Sequence, residues 1–237
     1  MRLHGLEFSA RERWGKLREG PLFVVGLATA AIGAFLSITA ELAQGELDAF
    51  DQQVLMRLAA MRRPFLNAIA VDITALGSAT IVTLVAIVAG ALLLMGKEWR
   101  SFTQMALASV GGALLTTLLK HTLERPRPAI VPKLVEVAGY SYPSGHSLAA
   151  ASVYLTLVLI VVPRIPRRSE RIVAWTLAAM GILAVGGSRS YLGVHYPSDV
   201  AAGLLLGSGW ALLASAAMRF GVRKAREADV LPASATR

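Results

Sequence analysis

Long stretches without any charged residue alternate with short charged segments along the 237-residue chain. The charge-free windows cover residues 21–40, 101–119, 137–163, 172–188 and 200–218. Each window is close to the ~20 apolar residues with which a helix crosses a hydrocarbon core of ~30 Å. Because the bilayer core offers no water to open backbone groups, the pattern predicts transmembrane helices.

A further apolar stretch, residues 64–96, contains Asp72 as its only charge. The stretch is too long for one helix, and the Gly77-Ser78 pair offers a natural break. We therefore predict a transmembrane span over residues 80–95. Residues 64–76 are expected to form a shorter piece that dips into the outer interface of the membrane.

The segment between the first two spans has its own periodicity. Its apolar residues recur at steps of three and four, at Leu47, Phe50, Val54, Leu58 and Met61. Asp48, Asp51, Gln52 and Arg62 fall elsewhere on the helical wheel. The pattern predicts an amphipathic helix that either lies on the outer surface of the membrane or packs against the bundle.

The predicted fold is therefore all-α: a polytopic membrane protein with six transmembrane helices and one amphipathic interfacial helix. The expected spans are residues 21–40, 80–95, 101–120, 146–163, 171–188 and 199–219. They form a membrane domain over residues 21–219, preceded by a segment of residues 1–20 and followed by a tail of residues 220–237.

Composition agrees with this class. The chain is 55% hydrophobic and only 16% charged, whereas soluble domains carry about a quarter charged residues. The absence of cysteine excludes disulfides and thiolate metal sites.

The formal net charge of +9 gives the orientation rather than a nucleic-acid partner. If the N-terminus is cytoplasmic, 16 of the 24 Lys and Arg residues fall on the cytoplasmic side and eight on the other. The positive-inside rule then places both termini in the cytoplasm. We expect a multi-pass protein of the cell (plasma) membrane, without a nucleic-acid partner.

Three segments on the predicted outer side hold residues that could bind a ligand or take part in catalysis. The first runs from Lys120 to Pro128 at the end of a span, where a rigid Arg-Pro-Arg-Pro turn can present several cations to one point. The alternative is a flank whose long basic side chains reach the interface without binding a ligand.

The second segment, Pro143-Ser144-Gly145-His146, opens the next span. Serine caps a helix, glycine lets an anion approach the backbone closely, and free N–H groups at a helix start attract negative charge. A histidine in that first turn can donate a proton to a leaving oxygen. An ordinary capped helix with an interfacial histidine is the equal alternative.

The third segment, residues 188–199, links the last two spans. Arg189 offers a planar fork that suits phosphate oxygens. Asp199 follows His195 by four residues, so it can hold one imidazole nitrogen and leave the other free to attack. A satisfied interfacial His–Asp pair is the alternative.

All three segments fall on the same predicted face, and ionisable residues that converge at membrane ends are functional candidates. Together they offer basic side chains and free N–H groups for anionic oxygens, two histidines and one carboxylate. This inventory suits phosphoryl transfer through a phosphohistidine, with no metal needed to neutralise charge.

These residues make the sequence similar to the type 2 phosphatidic acid phosphatases, also called lipid phosphate phosphatases. The family signature has three parts: Lys-x6-Arg-Pro, Pro-Ser-Gly-His and Ser-Arg-x5-His-x3-Asp. Every fixed position is matched here, from Lys120 to Asp199, in the same order and spacing. The resemblance covers residues 76–213.

The resemblance implies a role for each matched residue. His195 is expected to be the nucleophile, Asp199 the group that orients it, and His146 the general acid. The phosphate oxygens are expected to bind to Lys120, Arg127, Ser144, Gly145 and Arg189. Family members work without a divalent metal, so no cofactor is expected. His121, Arg125 and Tyr142 adjoin the motifs but are not fixed in them, and are left out of the expected site.

The expected function is hydrolysis of a membrane lipid phosphate at the outer face of the membrane. Phosphatidate, phosphatidylglycerol phosphate and undecaprenyl diphosphate are the candidate substrates, and the oligomeric state stays open. Two alternatives remain: a phosphotransferase that passes phosphate to another lipid, and a protein that binds or transports a lipid phosphate without catalysis. Vanadate-dependent haloperoxidases share the signature, but they are soluble proteins.

Overall fold

A computed structural model describes residues 20–230, with side chains up to residue 220. The predicted N-terminal segment, apart from Gly20, lies outside the described residues, as do residues 231–237 of the predicted tail. The N-terminal basic residues that entered the orientation argument therefore have no structural counterpart. The two cytoplasmic termini remain a prediction.

The described part of the chain contains α-helices, one 3₁₀ turn at Val162–Arg164 and no strand. The helices are α1 (Pro21–Ala43), α2 (Asp48–Ala60), α3 (Pro64–Ala75), α4 (Ala79–Met95), α5 (Trp99–Leu123), α6 (Gly145–Val161), α7 (Arg168–Tyr191) and α8 (Pro197–Val230). The predicted all-α class is thus confirmed.

Five of these helices, α1, α5, α6 with the 3₁₀ turn that continues it, α7 and α8, are long and apolar enough to cross a membrane. Helices α3 and α4 pass the same test only together, and they are bent by 43° at the break between them. Ser78 stabilises this break because its hydroxyl caps α4 by accepting the backbone N–H of Ile81 at 3.3 Å.

Helices α6 and α8 form the centre of the bundle. In each, 56% of the span is buried, against 17–22% in α1, α5 and α7. Small residues allow this close packing: a Cβ atom at Gly203 would lie 2.6 Å from the carbonyl oxygen of Ser144, and one at Gly207 would overlap with that of Leu148. The outer helices leave their large apolar side chains exposed, as lipid-facing surfaces require.

Helix α2 forms where the amphipathic helix is expected, but its inward face differs from the predicted one. Phe50 and Met61 are 54% and 61% exposed, whereas Asp51 is fully buried beside Leu55. The helical wheel assumes that polar residues face water. Here Asp51 instead faces a cluster of polar groups inside the bundle, and this changes the description of the site.

Candidate active site

The three signature segments meet at one end of the bundle. Lys120 lies in the last turn of α5, His146 in the first turn of α6 and Arg189 in the last turn of α7. The loop between α7 and α8 carries His195, and Asp199 follows in the first turn of α8. Antiparallel neighbours place these ends at the same level, although the residues are up to 79 positions apart.

His195 and Asp199 form a buried pair. The Nδ1 atom of His195 lies 3.4 Å from Oδ2 of Asp199, and the two residues are 2% and 0% exposed. The same carboxylate oxygen accepts the hydroxyl of Ser141 at 2.5 Å and the backbone N–H of Tyr196 at 2.9 Å. These bonds fix the carboxylate, so the imidazole is oriented by a rigid partner.

The other imidazole nitrogen faces a cation. Nε2 of His195 lies 3.1 Å from Nη1 of Arg127. A guanidinium can only donate hydrogen bonds, so this contact requires a lone pair on Nε2 and assigns the ring proton to Nδ1, toward Asp199. The lone pair is on the nitrogen that points into the cluster of cations, and a nucleophilic histidine can use it once a ligand displaces the hydrogen bond from Arg127.

The surroundings keep His195 neutral. Burial lowers its pKa from 6.5 to about 4, the bond and charge of Asp199 oppose this shift, and the charges of Arg127 and Arg189 add to it. At neutral pH the imidazole is therefore neutral and carries no proton on Nε2.

Two of the expected phosphate-binding cations are held by one loop. Arg127 donates to the carbonyl oxygens of Ala138 and Gly139, each at 2.9 Å, and Lys120 donates to that of Tyr140. Uncharged carbonyl groups thus occupy donors that phosphate oxygens can take over. The exchange keeps each cation hydrogen-bonded throughout.

Ser144 and Gly145 bring the start of α6 to the same place. The Ser144 hydroxyl caps α6 by accepting the N–H and hydroxyl of Ser147, at 3.5 and 2.9 Å, and its backbone N–H donates to the carbonyl of Asp199 at 3.0 Å. A Cβ atom on Gly145 would lie 3.2 Å from Cγ2 of Thr116 and 3.9 Å from Cε of Lys120, so the glycine lets the start of α6 lie close to the last turns of α5.

Arg189 and His146 complete the cluster. Arg189 is 3% exposed and donates from Nη1 to the hydroxyl of Thr74 at 2.8 Å, while its Nε has no partner. An unpartnered buried donor is costly unless a ligand satisfies it. His146 is in electrostatic range of Arg189, His195, Arg127 and Lys120. The structure thus brings together all eight residues of the predicted site.

Sequence reasoning missed four further members of this cluster. Arg125, which was left out of the expected site, donates to Oδ1 of Asp199 at 2.6 Å and to Oδ2 of Asp51 at 2.8 Å. Ser141 holds Asp199, and Ser198 donates to Asp51. The Arg-Pro-Arg-Pro repeat was the one available signal, because it places Arg125 two residues from Arg127. The partners of Asp51 lie 74 and 147 positions away, beyond any local pattern.

A wide apolar groove leads into the membrane from the site. It has a volume of about 940 Å³ and lies between α4 and α5, with α6 behind it. Gly145 and His146 line one end, small residues such as Ala86 and Gly112 line the middle, and Leu94 and Phe102 line the other end. The groove therefore joins the polar cluster to the lipid-facing side of the bundle.

Comparison with known proteins places the chain in a family. The profile of the PAP2 superfamily matches residues 101–223, about half of the chain. The chain is 33% identical over 175 residues to phosphatidylglycerophosphatase B of Bacillus subtilis, which covers 73% of this chain and 85% of that protein. It is 34% identical over 127 residues to an undecaprenyl-diphosphatase of Sulfolobus acidocaldarius, which covers 50% of this chain and 56% of that one.

The fold gives the same answer. The crystal structure of a transmembrane PAP2-type phosphatidylglycerolphosphate phosphatase from Bacillus subtilis matches with a TM-score of 0.71 at 27% identity. The match covers 87% of this chain and 98% of that one. The chain therefore belongs to the PAP2 superfamily, and it is a metal-independent membrane lipid phosphatase of that family.

Proposed function

We propose that the chain hydrolyses a lipid phosphomonoester at the outer face of the membrane through a phosphohistidine on His195, with phosphatidylglycerol phosphate as the first candidate substrate. The name of the Bacillus relative supports this substrate, since the similarity extends over 85% of that protein.

In the first step, Nε2 of His195 attacks phosphorus. An N–P bond forms while the P–O bond to the leaving glycerol oxygen breaks, and His146 protonates that oxygen. Asp199 stabilises the cationic ring through Nδ1–H. Lys120, Arg127 and Arg189 hold the three equatorial oxygens, and the unpartnered Nε of Arg189 gains an acceptor.

In the second step, a water molecule attacks the phosphohistidine. His146, left unprotonated by the first step, takes a proton from this water, so the acid of one step becomes the base of the next. The N–P bond breaks, inorganic phosphate leaves, and Nε2 regains its lone pair. No further group has to enter or leave, so the cycle closes on the starting enzyme.

One observation carries this proposal: the lone pair on Nε2 of His195, 3.1 Å from Nη1 of Arg127, at the end of an apolar groove. The contact with Arg127 defines where an anionic oxygen sits beside the nucleophile. The groove of about 940 Å³ supports a lipid substrate, because acyl chains can lie in it while the phosphate reaches His146.

The experiment uses the full-length chain purified in detergent with dioctanoyl phosphatidylglycerol phosphate. His195→Ala should abolish phosphate release while the protein remains monodisperse with an unchanged melting temperature. Denaturing quench of the wild type with ³²P-labelled substrate should trap an acid-labile phosphoprotein that is absent from His195→Ala. Turnover by folded His195→Ala would reject the mechanism.

The role of His146 has a test of its own. A leaving group that needs no protonation, such as p-nitrophenolate, should remove the need for a general acid. His146→Ala should therefore lose much less kcat/KM, which reports the first step alone, with p-nitrophenyl phosphate than with the lipid, whereas its role as base in the second step affects both substrates. Equal losses on both substrates would contradict this role.

The outer location of the site is tested by labelling, which the cysteine-free chain makes simple. Lys133→Cys, in the loop beside the site, should react with a membrane-impermeant maleimide added outside intact cells. Glu170→Cys, at the opposite end of the bundle, should react only after permeabilisation. The reverse labelling pattern would show that the protein has the opposite orientation in the membrane.

A second candidate substrate is a polyprenyl diphosphate, which the similarity to the Sulfolobus undecaprenyl-diphosphatase favours. The reaction at His195 would be the same, with a lipid monophosphate as the leaving group. Comparing kcat/KM for phosphatidylglycerol phosphate, phosphatidate and undecaprenyl diphosphate decides between them. Stoichiometric inorganic phosphate without an added acceptor lipid separates hydrolysis from phosphotransfer.

A further inference from the structure

Asp51 of α2 is fully buried although α2 itself lies at the edge of the bundle. Its Oδ1 accepts the backbone N–H of Ser198 at 2.9 Å, and its Oδ2 accepts the Ser198 hydroxyl at 2.5 Å and Nη2 of Arg125 at 2.8 Å. Asp51 thus caps the first turn of α8 from another helix, just before Asp199.

Arg125 connects Asp51 to the proposed catalytic pair. Its Nη2 donates to Asp51, its Nη1 donates to Oδ1 of Asp199 at 2.6 Å, and its guanidinium lies 4.1 Å above the ring of Tyr196. Burial alone would lower the pKa of Arg125, but the charges and bonds of Asp199 and Asp51 raise it. One cation is therefore shared by two carboxylates.

The charge balance gives this sharing a purpose. When His195 attacks phosphorus its ring becomes cationic, and Asp199 must supply the compensating negative charge. A neighbouring Arg125 on its own would cancel that charge. With Asp51 on its other arm, the three groups together carry one net negative charge, which remains available to His195.

We infer that Asp51 is a positioning residue of this enzyme: through Arg125 it leaves Asp199 its negative charge for His195, and through Ser198 it fixes the turn that carries Asp199. The inference rests on the proposed role of His195 as nucleophile. It adds a group from the short helix α2 to a mechanism that the signature residues alone would confine to α5–α8 and their connecting loops.

The other charged groups near Asp51, Arg125 and Asp199 are the same in the wild type and in every variant compared, so they do not contribute to the differences. Arg127, Arg189 and His146 are in electrostatic range of His195, while Lys120 and Tyr142 are in electrostatic range of Asp199. Asp48 lies 3.8 Å from Nη2 of Arg125, but its side chain is 61% exposed, so solvent screens it. Asp48 is therefore a matched control for Asp51: it has the same charge, on the same helix, near the same arginine.

The test measures kcat, KM and the acid limb of kcat/KM with dioctanoyl phosphatidylglycerol phosphate on the full-length protein. Asp51→Asn removes charge with little change in shape. It should lower kcat by about tenfold or more with a smaller change in KM. It should also move the acid limb to lower pH, by about half a pH unit, because the ring loses stabilisation of its cationic form. Asp48→Asn should leave all three quantities unchanged.

Removing the cation should act in the opposite direction. Arg125→Met leaves two uncompensated carboxylates and should move the acid limb to higher pH. The double variant Asp51→Asn/Arg125→Met restores one net negative charge, so its acid limb should return toward that of the wild type. A purely structural role predicts additive losses of stability and no shift of opposite sign.

The inference is overturned if folded Asp51→Asn matches Asp48→Asn, or if the two single variants shift the acid limb in the same direction. If Asp51→Asn does not fold, Arg125→Lys decides, because an ammonium keeps the charge but loses the two-armed geometry. A loss of kcat without a shifted limb then supports the inference, and an unchanged kcat overturns it. His195→Ala separates failure of this inference from failure of the proposed function, because activity in that variant would reject the proposed function itself.

Discussion

Nη1 of Arg127 lies 3.1 Å from Nε2 of His195, so the proposed nucleophile and a residue proposed to bind phosphate are in direct contact. The guanidinium occupies one flank of the attacking lone pair. A phosphate oxygen that replaces this contact is drawn to within bonding range of both residues, which aligns phosphorus with Nε2.

Arg127→Lys should therefore strongly impair catalysis, although the substitution keeps the positive charge. Lysine cannot bind Val194 and the loop carbonyls while also facing His195, and it offers phosphate no planar fork. We expect kcat to fall by about 10²-fold in phosphate-release assays, as for the loss of one transition-state donor.

Arg164→Lys is the matched control, because Arg164 forms an exposed pair with Glu98 at the other end of the bundle. Its activity should stay within about twofold of the wild type. Equal losses in the two variants would trace the effect to folding rather than to the site.

The pH dependence of kcat/KM should report His195. Its pKa is lowered from 6.5 to about 4, so above that pH the ring is mostly neutral with Nε2 unprotonated, and protonation below about 4 removes the attacking lone pair. We expect the rate to fall about tenfold per pH unit below that point. A limb near pH 6.5 would contradict the burial of the ring.

The phosphate group of the substrate also titrates, so two substrates are needed. A limb that belongs to the enzyme stays at the same pH with a lipid monophosphate and a lipid diphosphate. A limb that moves with the substrate belongs to the phosphate group.

Filling the apolar groove should affect lipids selectively. Ala86→Phe on α4 places a large ring between α4 and α5, where we expect the acyl chains. KM for a long-chain phosphatidylglycerol phosphate should rise by about tenfold or more, while kcat/KM for water-soluble p-nitrophenyl phosphate should be unchanged.

Leu84→Phe provides the comparison, since Leu84 is 55% exposed on the same helix and does not line the groove. This variant should resemble the wild type with both substrates. If Ala86→Phe also left the long-chain KM unchanged, the acyl chains would have to enter elsewhere.

The packing of α6 against α8 should be sensitive to a single methyl group. A Cβ atom at Gly207 would overlap with the carbonyl oxygen of Leu148, so Gly207→Ala must push the two helices apart. Because α6 carries His146 and α8 carries Asp199, both the melting temperature and kcat should fall. We expect the free energy of unfolding to fall by about 1–3 kcal/mol, measured as a lower melting temperature of the detergent-solubilised protein.

Gly181→Ala on α7 supplies the contrast. A Cβ atom there meets nothing within 4 Å, so the substitution should be neutral or slightly stabilising through helix propensity. A similar melting shift for both glycines would mean that close packing of α6 and α8 is not what the glycine at 207 provides.

Most of the candidate site could be predicted from the sequence, because its residues lie in motifs that are recognisable from neighbouring residues alone. Ser144 caps a helix and Pro197 begins one, so their neighbours His146 and Asp199 could be assigned to helix starts without any long-range information. Topology then brought the segments to one end of the bundle, since each lies where a predicted span begins or ends.

The place of Asp51 and Arg125 in the site could not be predicted in this way, for a physical reason. On a helix beside a membrane, exposed positions tolerate apolar groups such as Phe50 and Met61, while a buried position can hold a carboxylate if its partners are present. The amphipathic pattern was visible, but its inward face depends on Arg125 and Ser198, whose proximity only the fold creates.

The carbonyl oxygens of residues 138–140 accept hydrogen bonds from Lys120 and Arg127, and these bonds also bear on how the proposed reaction ends. They compete for the donors that we propose bind the phosphate of the substrate. Arrival of substrate is then a ligand exchange rather than the filling of a bare charge, and departure of inorganic phosphate is helped by acceptors that return as it leaves. Under the proposed mechanism we therefore expect weak inhibition by inorganic phosphate, with both cations hydrogen-bonded again after each turnover.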